Sequence, residues 1–137
     1  MPANTSPIYP LTPNAGVPGV VLTAANTAKD GTGTTALLFT AGANGARLDK
    51  IRAKAAATNV ATVARFFLNN GSTPATAANN IFIGELALAA VTLTEVAAQV
   101  EPEWVAGFPI PAGWKVYVCI ATAVAGGWAF AALGGDY

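Results

Sequence analysis

Histidine is absent from this chain. The side chain most often used for proton transfer near neutral pH, and the commonest metal ligand, is therefore missing. Cysteine is almost as scarce. Cys119 stands alone, so no internal disulfide and no CxxC zinc site can be built. It lies in the apolar run Val116-Tyr117-Val118-Cys119-Ile120 and reads as a small core group, because no histidine is available to activate it as a nucleophile. Serine is limited to Ser6 and Ser72, and neither sits in a G-x-S-x-G elbow. Glycine is plentiful at 14 residues, yet neither a phosphate loop ending in GKS or GKT nor a G-x-G-x-x-G fingerprint occurs.

Charge is the other deficit. Only 10% of the residues are charged, against about a quarter in a typical soluble domain. Seven basic and seven acidic residues cancel, so there is no basic surplus to hold a nucleic acid. A hydrophobic content of 53% supplies a core and excludes disorder. So little charge at zero net balance disfavours a free monomer, and much of the surface is expected to be covered by other subunits. The first 15 residues contain no lysine, no arginine and no long apolar run, so no secretion signal is expected. The sequons at Asn4 and Asn70 carry little weight without one. Between Lys115 and Asp136 no charge occurs, and a membrane helix needs about 20 apolar residues. Gly126-Gly127 interrupts that stretch, and Trp114, Val116, Val118 and Ile120 alternate at period two. Two strands, not a membrane span, are expected there.

The chain itself, 137 residues long, suits one domain. Residues 1–19 hold Pro2, Pro7, Pro10, Pro13 and Pro18 and no charge, and they read as an extended arm. Ile8, Tyr9 and Leu11 give this arm apolar anchors suited to a partner. Residues 20–137 alternate short apolar runs with turn clusters such as Asp30-Gly31-Thr32-Gly33, Ala41-Gly42-Ala43-Asn44-Gly45 and Asn70-Gly71-Ser72-Thr73-Pro74. Strands are predicted over 20–23, 34–40, 47–57, 61–69, 80–89, 114–122 and 128–133, with one or two short ones within 91–105. Residues 53–63, with three successive alanines, compete as a helix, but Thr58-Asn59-Val60 weakens that alternative. The fold class is therefore all-β: a jelly-roll-like antiparallel β-sandwich with an extended N-terminal arm.

Three groups of side chains are candidates for function. Arg47, Lys50, Arg52 and Lys54 crowd one strand, while Glu101 and Glu103 follow in a later segment. Such strips are complementary either between strands or between subunits, where Arg47, Arg52, Lys54, Glu101 and Glu103 would set orientation. Glu101 and Glu103 are also the only close carboxylate pair, the minimum for a glycosidase, though an exposed edge is the favoured assignment. Trp104, Trp114 and Trp128 could stack on sugar rings, or simply pack in a core or interface. Asp30 alone is too few carboxylates for a calcium loop. No cofactor, metal or catalytic residue is predicted.

The opening Ser6-Pro7-Ile8-Tyr9-Pro10-Leu11-Thr12-Pro13, the stretch from Thr27 to Thr34, the segment from Phe39 to Arg52 with Asn69-Asn70-Gly71, the run Pro111 to Val118 and the ending Gly134-Gly135-Asp136-Tyr137 resemble small structural proteins of tailed bacteriophages. The similarity is greatest to head decoration (cement) proteins. These matching motifs are turn and strand signatures and carry no catalytic residues. The resemblance implies a non-enzymatic virion protein made in the bacterial host cytoplasm. It would sit on the capsid surface, bind the major capsid protein and itself as a homotrimer, and reinforce the head lattice. A carbohydrate-binding β-sandwich, for instance on a phage fibre or tail, is the alternative. Exposed tryptophans along one face would favour sugar binding, and buried ones the structural role.

Overall fold

In the computed structural model, the described residues are 9–137, and nine strands form among them. They are β1 (Thr12–Asn14), β2 (Val20–Leu22), β3 (Ala36–Thr40), β4 (Ala46–Ala55), β5 (Thr62–Asn69), β6 (Asn80–Leu88), β7 (Glu103–Ile110), β8 (Lys115–Ile120) and β9 (Trp128–Asp136). Among the described residues the only helical element is a 3-10 turn at Ala77–Asn79, ahead of β6.

Pairing follows a simple rule. β2 pairs with β9, β3 with β8, β4 with β7 and β5 with β6, always antiparallel. The β4–β9 and β5–β8 ladders gather these pairs into two sheets, ordered β2-β9-β4-β7 and β3-β8-β5-β6. A long hairpin rolled up in this way, with successive pairs falling in opposite sheets, is a jelly roll. The fold class expected from the turn spacing is thus what forms.

Period-two alternation explains why these segments pair as they do. In β9, Trp128, Phe130 and Ala132 point inward; in β5, Ala64, Phe66 and Leu68 do; in β8, Val116, Val118 and Ile120 do. Leu48, Ile51 and Ala53 of β4 complete the facing layer. The register of β4 shifts between Leu48 and Lys50, marking a bulge at Asp49. The extra residue resets the alternation, so Leu48 and Ile51 both stay in the core although they are three apart. Gly134 lies where β9 crosses the bulge, and a Cβ there would run into the carbonyl oxygen of Arg47. The uncharged stretch after Lys115 forms β8, a turn and β9, as its alternation predicts. No helix among the described residues is long and apolar enough to cross a membrane.

The structure departs from the sequence in two places, the arm and the segment 91–105. The arm expected to run through Gly19 contributes β1, which pairs Thr12 with Asp136 and Asn14 with Gly134. Val17 then donates its N–H to the Leu38 carbonyl at 2.9 Å, so residues 11–19 lie along the sandwich. Pro13 is tolerated because β1 is a three-residue strand at the sheet margin. Residues 91–105 hold only an isolated bridge between Val91 and Asn59 before β7 begins. This segment must carry the chain from the edge of one sheet to the edge of the other, which leaves no neighbour to pair with. The helical competitor over 53–63 is absent; β4 runs to Ala55, and the alternation of Ile51, Ala53 and Ala55 into the core outweighs alanine's helix preference.

Candidate interaction surfaces

The charged strips meet within the chain. Lys50, Arg52 and Lys54 project from the outer face of β4 beside Glu101 and Glu103, which lead into β7. Arg52 contacts Glu101 through Nη2 at 2.8 Å and Glu103 through Nε at 2.7 Å. Lys50 reaches Glu103 at 3.2 Å, and Lys54 lies 3.9 Å from Glu101. The result is a ladder of alternating sign, with Arg47 apart from it and bound to Asp49 at 2.9 Å. Of the five residues expected at a charged interface, four are brought together. Their complementarity is spent across the β4–β7 register, and Arg47 does not join them. All these side chains are substantially exposed, so each pair contributes roughly 0–1 kcal/mol.

Beside this ladder a surface depression of about 210 Å³ is lined by Arg52, Lys54, Glu101 and Phe130. Both Glu101 and Glu103 are turned toward β4 cations on an open face, without the enclosed cleft that a glycosidase pair works in. Among the described residues, no three metal-ligating side chains come together. Asp30 makes the turn expected of it: its Oδ1 accepts from the Thr32 hydroxyl at 2.6 Å and the Thr32 amide at 3.0 Å. Those bonds hold its carboxyl below the usual range. Burial pushes the Cys119 thiol up, with Arg65 opposing the shift.

No family model, no curated protein and no solved structure matches this chain.

The three tryptophans do not line an exposed face. Trp128 is buried, while Trp104 and Trp114 are half-buried. Trp104 stacks on Phe66 with centroids 5.0 Å apart and meets Phe108 edge-on at 6.4 Å. Its indole covers Gly84 of β6, where a Cβ would collide with the ring. Gly84 is therefore the gap through which β7 packs on β6 across the sandwich. Of the arm anchors, Tyr9 and Leu11 are exposed, at 71% and 84%, while the Leu11 amide donates to the Asp136 carbonyl at 2.7 Å. Ile8 lies outside the described residues.

Sequence reasoning missed two surfaces. The β6–β7 connection exposes Val96 (93%) and Val100 (80%). The available signal was the uncharged run Val96-Ala97-Ala98-Gln99-Val100, in a segment without regular turn residues. The other is the flank where β6 and β7 lie at the margins of their sheets. Ile81 and Phe82 are each half exposed there, and Val105 of β7 projects outward. Edge position depends on the whole topology, so no local pattern announces it.

Proposed function

We propose that the chain is a virion structural protein: a capsid decoration protein that binds and stabilises a phage head lattice. On this reading its partners are the major capsid protein and further copies of itself, and its location is the outer surface of the capsid. The observation that carries the reading is the apolar connection between β6 and β7. Val96 and Val100 project almost fully into solvent from a long segment without regular structure, in which Glu95 is the sole charge between Ala89 and Val100. Long irregular connections in compact domains are commonly binding loops. Burying such side chains on a partner recovers roughly 25 cal/mol for each Å² removed from water. Exposed Tyr9 and Leu11 offer a second apolar contact of the same kind. A jelly roll is common to viral and sugar-binding domains, so the assignment rests on these surfaces and on the phage resemblance, not on the architecture.

The test is co-sedimentation of the purified protein with phage head particles assembled without it. Heat resistance of the particles is measured alongside. Binding and a raised rupture temperature are expected, and Val96→Lys with Val100→Lys should abolish both while leaving the domain folded. Particles that neither bind nor gain heat resistance would overturn the proposal. Binding unaffected by the paired substitutions would remove the loop from it.

A further inference from the structure

We infer that β6 is a self-pairing edge: the free side of Asn80–Leu88 forms an antiparallel ladder with β6 of a second copy. An open sheet edge presents unpaired N–H and C=O groups that template another strand, and sheets normally protect it. Three of the four sheet margins here are protected. The margin beside β9 carries β1 and β2, of three residues each, with Pro13 in the first. The β3 margin is met by Val17, whose amide occupies the Leu38 carbonyl, and the strand is broken there by a register shift. β7 carries Pro109 near its end and a positive φ of 65° at Gly107.

The β6 margin is the least protected of the four: it has neither proline nor a positive φ, and only a register shift against β5 at Ile83 interrupts it. It runs for nine residues. Its one charge, Glu85, is already bound to Arg65 at 2.9 Å, so pairing would strand no lone ion. Ile81 and Phe82 are half exposed beside it, with Ile83 and Leu86 half-buried. Trp104 and Phe108 of β7 add half-buried aromatic surface to the same flank.

The occupant follows by elimination. A backbone ladder requires an extended strand. The chain's own N-terminal arm is a poor one: Pro2 and Pro10 fall at even positions and Pro7 and Pro13 at odd ones, so either side of it lacks a donor. The other margins of a second copy are closed as described. What remains is a second β6, whose free side is complementary to itself about a twofold axis. A strand of this length spans about 30 Å at roughly 3.3 Å per residue. Across a sandwich about 20 Å deep with its side chains, the flank offers on the order of 600 Å² per copy, near the lower end for a specific dimer. The contact needs no capsid; in a threefold assembly it would join one ring to the next.

Light scattering on the purified full chain tests this, together with hydrogen exchange of backbone amides. The native protein should contain an even number of chains, and residues 80–88 should exchange slowly. Ala87→Lys and Ile81→Lys, both at exposed positions, should halve the mass and release those amides, with tryptophan fluorescence unchanged. A native monomer or odd-numbered assembly, or folded variants of undiminished mass, would overturn the inference. So would fast exchange of β6 in the assembled native protein, a measurement that stands even if both variants fail to fold. Particle binding is scored separately, so loss of self-pairing with retained capsid binding counts against this inference alone.

Discussion

Asn59 holds three parts of the chain together. Its side chain donates to the Gly127 carbonyl at 2.6 Å and accepts from the Gly126 amide at 2.9 Å, while its backbone exchanges two bonds with Val91. It is buried, so truncation leaves those groups without partners. Asn59→Ala is expected to cost about 1–3 kcal/mol in urea unfolding. Nothing in the sequence marks this asparagine, because its partners lie in a turn nearly seventy positions on and come together only in the folded sandwich. Cys119, by contrast, is legible: an apolar run at strand period predicts the burial it has. Its raised thiol pKa sets the sign of an alkaline effect. The folded state favours the neutral thiol, so the stability it contributes is intact below the ordinary value of 9.0 and is lost as pH rises through the raised value. Unfolding midpoints of the native protein should therefore fall more steeply at alkaline pH than those of Cys119→Ala.

Among the elements, β2 to β6, β8 and β9 were readable, whereas β1 and most of β7 were not. β4, β5, β8 and β9 bury one face against the other sheet, and their alternation is written into the apolar residues, with a single reset at Asp49 in β4. β1 escaped because proline argues against strand in general, and its tolerance depends on lying at a margin. The charged strips could be recognised as complementary, yet whether they met within or between chains depended on β4 and β7 being neighbours. The N-terminal segment gives a direct test of the revised boundary. A chain beginning at Tyr9 keeps β1, whereas one beginning at Ala15 loses it, together with the Asn14 bonds to Thr40 and Asp136. The shorter chain should be less stable by a few kcal/mol, read from chemical denaturation. Equal stability of the two would mean that residues 9–14 serve attachment alone.

For the molecule as a whole, scarcity of charge becomes a property of its stability. The ladder on the outer face of β4 holds most of the ion pairs, all of them exposed and screened by salt. Arg52→Ala, which removes its centre, should shift stability by less than about 1 kcal/mol, and raising salt should change the native unfolding midpoint little. A large loss would show the ladder to be cooperative. The core between the sheets, from Leu48 and Ile51 to Phe66 and Trp128, carries the stability instead.

The pairing of β1 with β9 also has a mechanical consequence. Thr12 lies opposite Asp136, so the chain enters and leaves the domain at the same end of two antiparallel neighbours. Tension applied between Tyr9 and Tyr137 therefore loads that ladder one hydrogen bond at a time, as in peeling, instead of shearing all of them together. The margin strand should yield at low force while the rolled sandwich behind it stays closed. A particle surface that swells or flexes would find in those few residues a short, reversible length of slack.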